Sequence, residues 1–484
     1  MQPGARIIIE TSDELSLTNV DQNRGIHGCD QTWYGILLEN SGTLYMENCQ
    51  VEDAQHAVFV NNFCTVYLKN NDFNRNEVGL YANFEEITQN ATFFYDFSNN
   101  TFRSEGAPLL PPFDGAYGLI NEPWFSDVGY AGIYAEGGGN LQNLTVRNNT
   151  FQSIEYGIVA NGVNSVRIED NTFQNMDFVW PVDGMTPISG IGIFCKESGP
   201  INAEDCSFLN CNMGVSVEDA KQNLIIENNT FAEVITRAIN ARRSFDAVEI
   251  TGNIINSDGG INIDIYPGAS LTIENNIVSG FQGGMELLNG ALVQLNRGIT
   301  VNSSVATLPS QPNLAARTIR NNQIDPIFDG TGISVGRQPG IIVEENTITT
   351  PGDGVIIVNS DGALVKNNSI TASTRTSYGL FVAACRDIEV ECNTVENYVA
   401  SFTFSADCSC FDFNDPQTCT EIKGNTDVYT GYGGNHQGLR LFNSIVGKQE
   451  HTGNEWAGDW TNLNTQVTHG AAYFGDLAFL SQSE

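Results

Sequence analysis

The sequence predicts an all-β solenoid, a parallel β-helix of about fifteen or more coils. Three observations predict it. The first is an octapeptide, Leu224 to Phe231, with apolar residues at Leu224, Ile226 and Phe231 and an asparagine at Asn229. Alternation at 224 and 226 is a strand signal. The second is that this frame recurs, with Asn71, Asn100, Asn149, Asn171, Asn229, Asn253, Asn276, Asn322, Asn346, Asn368 and Asn393 in one slot. The third is a second mark in fixed phase, a Gly or Ala followed by apolar-any-apolar, as at Gly35, Ala57, Gly79, Gly132, Gly157, Gly192 and Gly214.

Steps of 24 and 23 residues from Asn229 to Asn253 and Asn276 lie in the range of a repeat architecture. Turns this short, with no helical stretch between strands, cannot form βαβ units. Stacking solves the burial problem, because each strand pairs with its equivalents above and below at about 4.8 Å. Asn229 and its equivalents are expected to take the left-handed conformation and turn the chain. Phe73, Phe102, Phe151, Phe173, Phe208 and Phe231 are expected to form one internal aromatic stack, and Ile255, Val278, Ile324, Ile348, Ile370 and Val395 an aliphatic one. Each buried side chain contributes roughly 1.5–3 kcal/mol. An asparagine bond contributes about 0.5–1.5 kcal/mol net, so the asparagine column chiefly fixes register. Cys49 and Cys206 occupy the asparagine slot in two further copies.

The frame resembles the right-handed parallel β-helix repeat family over roughly residues 15–460. Right-handedness is implied by that resemblance and by the crossover rule. The chain is also similar to large β-helix proteins exported to bacterial cell surfaces. Other members of the fold are pectate and alginate lyases, polygalacturonase-like hydrolases and phage tailspikes, so the resemblance sets the fold and not the activity.

Taken in order, residues 1–34 read as an irregular first turn, residues 35–405 as the regular helix, and residues 406–484 as a Cys-rich loop with less regular final coils. Insertions are expected near 103–129, 174–190 and 288–316. The first two are aromatic and both enter the Gly-marked strand. The outward residue of that strand runs Leu37, Phe59, Tyr81, Tyr134, Val159, Phe194, then turns polar at Ser216, Asn240, Asn262, Glu286 and Ser334. An apolar stripe needs a cover or a ligand. Loops folded over it are one reading. The other is a glycan platform of Phe59, Tyr81, Tyr134, Phe194, Trp124 and Trp180, with sugar rings stacked on aromatic faces.

With 57 acidic against 22 basic residues, the net charge is -35. That excludes nucleic acid and anionic membrane surfaces as partners. No apolar run is long enough to insert in a membrane. Eleven cysteines suit an oxidising compartment. At least one disulfide is expected among Cys385, Cys392, Cys408, Cys410 and Cys419, and another between Cys29 and Cys64. Cys49, Cys195 and Cys206 read as buried free thiols. The abrupt ends lead us to expect a segment of a larger extracellular or cell-surface protein.

Chemistry is sparse. The best basic cluster is Lys221, Arg237, Arg242 and Arg243 with Asp246 nearby, although lone basic residues on strands are usually solvated. A hydrolase needs a carboxylate pair at fixed separation. Asn425-Thr426-Asp427 is a lone fragment of a polygalacturonase-like pattern, in a frame where Asn-Thr is simply the repeat. Asp258, Asp353 and Asp361, each followed by glycine, could hold Ca²⁺ but are equally turn residues. No other cofactor is implied, and nothing fixes the oligomeric state. The sequence alone therefore favours a non-catalytic structural, adhesion or glycan-binding module. The alternative is a polysaccharide lyase or glycoside hydrolase working on acidic polysaccharide in a groove on the outer face.

Overall fold

The computed structural model describes residues 1–20, 25–61, 63–84, 97–110, 128–138, 140–176, 190–243, 245–256, 260–266, 268–280, 285–288, 291–294, 297–303, 316–325, 330–374, 378–408, 420–430, 436–442, 444, 453–458 and 465–469. It divides into two compact units, Met1–Phe245 and Asp246–Glu484. Among the described residues the strands fall in four parallel sheets, of 17, 4, 15 and 11 strands, and one two-stranded antiparallel pair.

In unit 1 the Gly-marked sheet includes Trp33–Leu38, Ala54–Asn61, Val78–Asn83, Ala131–Glu136, Tyr156–Asn161, Ile191–Lys196, Met213–Glu218 and Arg237–Arg242. Leu144–Arg147, Val166–Glu169, Ile201–Glu204 and Leu224–Glu227 stack on a second face. Thr101–Arg103, Thr150–Gln152, Thr172–Met176, Ser207–Cys211 and Thr230–Ala232 form the third. The first turn is more regular than its sequence suggests. Arg6–Ile9 pairs in register with Gly35 to Leu38, and Leu15 and Leu17 stand on Leu44 and Met46.

The six phenylalanines stack inside unit 1 with ring centroids 4.6–5.2 Å apart and planes within 8°. This explains the glycine mark. A methyl group at Gly132, Gly157, Gly192 or Gly214 would lie 2.5–2.6 Å from the ring of Phe151, Phe173, Phe208 or Phe231. The glycines are there for space, not for turning. In unit 2 the equivalent inner column is aliphatic, with Ile255, Val278, Ile324, Ile348, Ile370 and Val395 in successive register.

The asparagines bond coil to coil. In unit 1 the Oδ1 atoms of Asn100 and Asn149 accept from the backbone and side-chain amides of Asn71 and Asn100, all at 3.0 Å. In unit 2 the same pattern runs without a break from Asn253 through Asn276, Asn322, Asn346, Asn368, Asn393 and Asn425 to Asn454. One expectation is corrected. The left-handed residue is the one before the ladder asparagine, as at Asn148 (φ 54°), Asn228 (φ 56°) and Asn275 (φ 58°). The ladder asparagine must stay buried with its amide aimed along the stack, so its exposed neighbour makes the corner.

A second expectation also fails. Gly284-Met285 fits the Gly mark, but Met285–Leu288 pairs antiparallel with Ala291–Gln294. The stacked strand is Arg297–Asn302, whose Thr300 aligns with Asn262 and Ser334. Glu286 is therefore not a rung of the outer column. The expected Cys29–Cys64 bridge is absent: both are free thiols, as are Cys385, Cys392 and Cys408. Cys410 and Cys419 lie outside the described residues. Cys49, Cys195 and Cys206 are buried and free.

Candidate functional site

Strand alternation and exact register place three lines of outward side chains on the Gly-marked sheet of unit 1. The middle line is aromatic: Phe59 aligns with Tyr81, Tyr81 with Tyr134, Tyr134 with Val159, and Val159 with Phe194. Two residues further along each strand runs a polar line. It reads Asn61, Asn83, Glu136, Asn161, Lys196, Glu218 and Arg242 in continuous register. All seven are half-buried. On the other side His56, Val78, Ala131, Tyr156, Ile191, Met213 and Arg237 align.

The aromatic residues do come together. Phe59 and Tyr81 lie face to face, 5.0 Å apart at 10°. That pair spends a face on each other, whereas Tyr81 and Tyr134 are tilted by 53° and Tyr156 and Phe194 meet edge-on at 62°. Tyr81 is fully buried, Leu37 and Val159 nearly so, and Phe59, Tyr134 and Phe194 are half-buried. The stripe is thus half-buried at Phe59, Tyr134 and Phe194 and closed at Tyr81. Trp124 and Trp180 lie outside the described residues.

Tyr81 donates its hydroxyl to Glu136 Oε2 at 2.7 Å, and Tyr134 donates to Oε1 at 3.0 Å. Asn83 Nδ2 in turn donates to the Tyr81 oxygen at 3.0 Å. A carboxylate that accepts from two phenols is fixed in place, its two oxygens held by one hydroxyl each. Burial, then the Glu136 hydrogen bond and charge, holds the Tyr81 hydroxyl well above its ordinary range. His56, 5.3 Å from Tyr81 ring to ring, is pushed by burial down to about 3 and is neutral. Glu77 immediately precedes Val78 on this face, and burial raises it to about 7. Tyr156 is raised to about 12 by burial and by Glu155 and Glu218. Groups displaced in opposite directions on one face mark a functional-site candidate.

The basic candidates are dispersed. Arg237 is buried, with Nη1 donating to Asn240 Oδ1 at 2.9 Å. Arg242 is the last member of the polar line, in register with Glu218. Arg243 sits exposed in a left-handed turn, 3.8 Å from Asp219. Lys221 is exposed on a turn, and Asp246 is an exposed residue of unit 2. Asp353 Oδ1 accepts from the Tyr378 amide at 3.0 Å and Asp361 Oδ1 from the Arg386 amide at 2.8 Å, each a bond to the following coil. Asp258 lies outside the described residues. Among the described residues no group of three metal-ligating side chains converges. Ser401, Asp427 and His436 form a hydrogen-bonded array in unit 2. It is sealed inside the coil with Asp427 and His436 fully buried, so no substrate reaches it.

Glu136 and Lys196 were not singled out from the sequence as site residues. The signal was available, since both stand two residues beyond the outward position followed along each strand.

Residues 83–278 and 298–435 match the family model described as the right handed beta helix region. The chain belongs to that family. No curated protein matches it. Among solved structures, this β-helix is similar to a double mutant of the periplasmic alginate epimerase AlgG, at 13% identity and TM-score 0.29, over 90% of this chain and 77% of that one. It is similar to the A-module of the Azotobacter vinelandii mannuronan C-5 epimerase AlgE6, at 10% identity and TM-score 0.26, over 90% and 92%. A third is the PL6 family alginate lyase AlyGC, at 11% identity and TM-score 0.22, over 97% of both chains. Each of these neighbours is named as an enzyme, against the non-catalytic module favoured by the sequence, while a likeness at this identity shows the fold and not the activity. Their named substrates are properties of those proteins. Among the described residues no helix is long and apolar enough to cross a membrane.

Proposed function

We propose that unit 1 carries the active site of an extracytoplasmic enzyme acting on an acidic polysaccharide laid along the polar line of its outer face. The carrying observation is Glu136, which accepts hydrogen bonds from both Tyr81 and Tyr134. Tyr134 is half-buried and is the hydroxyl within reach of a substrate. Its oxygen takes the proton from the carbon next to a uronate carboxyl group as its own proton passes to Glu136. The electron pair left on carbon forms the double bond to the neighbouring carbon, the glycosidic oxygen there departs as it takes a proton from water, and Glu136 then returns its proton to solvent. Tyr81 and Asn83 hold the carboxylate still, and exclusion of water from Tyr81 strengthens that hold.

Elimination is favoured over hydrolysis by spacing. Glu136 and Glu218 are three rungs apart, about 14 Å at ~4.8 Å per rung. That exceeds the separation used by either hydrolase geometry, at most ~9.5 Å. Lys196 stands two rungs from Glu136, about 10 Å away. It has no ion-pair partner among the described residues, and it is placed to meet a sugar carboxylate.

The test is incubation with a panel of acidic polysaccharides, followed by ultraviolet absorbance of unsaturated ends. Wild-type protein is expected to produce them and Glu136→Gln to lose about 10²–10⁴ in rate at unchanged melting temperature. Cleavage without unsaturated ends, or a fully active Glu136→Gln, would overturn the reading.

A further inference from the structure

The inner column of unit 2 on its Asn-marked face reads Leu271, Arg317, Ile341 in register, with Val248 before and Ala363 after. One member of this aliphatic column is a guanidinium. Arg317 is 1% exposed. Its Nε donates to the Ala269 carbonyl at 3.2 Å and its Nη1 to the Pro339 carbonyl at 2.8 Å. Its Nη2 is buried and, among the described residues, bonds to no protein atom and pairs with no carboxylate. In the same corner Gln338 is fully buried, with Nε2 donating to the Ile265 carbonyl at 3.3 Å and Oε1 without a donor.

An arginine cannot shed its proton to escape burial. Two carbonyl dipoles satisfy hydrogen bonds but do not neutralise a unit charge. An isolated buried charge is penalised by several kcal/mol unless a counter-charge is supplied. The sequence just before Arg317, residues 301–315, contains no acidic residue. Among the described residues nothing supplies the counter-charge, and an anion from solution can.

We propose that the corner bounded by Arg317, Gln338, Ala269 and Pro339 is an internal binding site for a small monovalent anion of the halide class. Arg317 Nη2 donates to the anion, and an accompanying water donates to both the anion and Gln338 Oε1. The site is structural and separate from the face of unit 1, so it stands or falls independently of the enzymatic reading.

The test uses the whole chain. Thermal unfolding of the unit 2 transition is followed as sodium chloride, bromide or methanesulfonate is raised at constant ionic strength. In wild type the midpoint is expected to rise by about 2 °C or more per tenfold chloride or bromide above saturation, and not with methanesulfonate. Arg317→Leu, which restores the aliphatic column, is expected to lose that dependence. Should the variant not fold, ³⁵Cl line broadening by wild-type protein provides the second reading, and displacement by bromide is expected. Equal response to all three anions, or no chloride broadening above that of a buried-site-free control protein, would overturn the proposal.

Discussion

Units 1 and 2 use one frame for opposite purposes. Both hang their coils on buried asparagines, and both set a glycine opposite the innermost side chain. Unit 1 fills its interior with stacked phenylalanines and places ionisable groups outside, where Glu136, Tyr134 and Lys196 share one face. Unit 2 fills its interior with aliphatic residues and lets polar groups intrude, as with Arg317 and with Asp427, which follows Val395 in the inner column. Its outer column is Thr300 and Ser334, then Ile356, Phe381 and Thr403. The frame fixes register and is indifferent to chemistry. Chemistry depends on which side of the strand a polar residue falls.

The comparison can be broken first at the glycines. Gly192→Ala drives a methyl into the ring of Phe208, which is clamped by Phe173 and Phe231 at 4.8 and 4.6 Å. Gly332→Ala meets the Ile348 methyl at 2.5 Å, which yields more readily than a clamped ring, and the Gly354 carbonyl oxygen at 2.7 Å, much as Gly192 meets the Gly214 oxygen at 2.9 Å. Losses of about 3 and about 1 kcal/mol are expected in urea unfolding. Equal losses would mean that the backbone oxygens, not the rings, demand glycine.

A smaller effect sharpens the contrast between outer faces. Glu77 has its folded value raised to about 7 by burial, above an unfolded value near 4.5. The folded state then binds more protons than the unfolded one between these values, so stability falls as pH rises from about 4.5 to 7. Glu77→Gln should remove about 2 kcal/mol of that fall, read as the pH dependence of the urea midpoint. A slope unchanged by the substitution would return Glu77 to the ordinary surface carboxylates.

The smallest effect concerns the ladder. The Cys206 backbone amide donates to Asn229 Oδ1 at 2.9 Å, while its thiol donates to the Glu204 carbonyl at 3.2 Å. Cys206→Asn is expected to stabilise unit 1 by about 0.5–1.5 kcal/mol. A loss of stability would show that the slot there has closed around sulfur.

The fold was legible because the inner columns repeat in residue type: every Phe of the stack from Phe73 to Phe231 is visible in the sequence. The corner was misplaced by one residue because two asparagines often stand together, and only burial distinguishes the one that bonds from the one that bends. Gly284 misled because spacing is a local rule. Asn289-Gly290 after it is a hairpin signal that competes with stacking. The site was read only in part. Aromatic residues were found by their stripe, but the sequence does not show which ring is closed over, as Tyr81 is. Glu136 acquires meaning only when Tyr81, 55 residues earlier in the chain, reaches it.

The ladder of unit 2 has a polarity as well as a register. Each Oδ1 is pinned by a backbone amide and each Nδ2 by a carbonyl, so the amide groups cannot flip. Along the ladder itself each side-chain amide from Asn253 to Asn425 donates to the asparagine oxygen of the following coil. The string is thus a row of aligned amide dipoles, an electrical counterpart of the helix macrodipole, each strengthening the next. Its positive pole faces the coil of Asn454, and an anionic group is favoured at that pole over the opposite one.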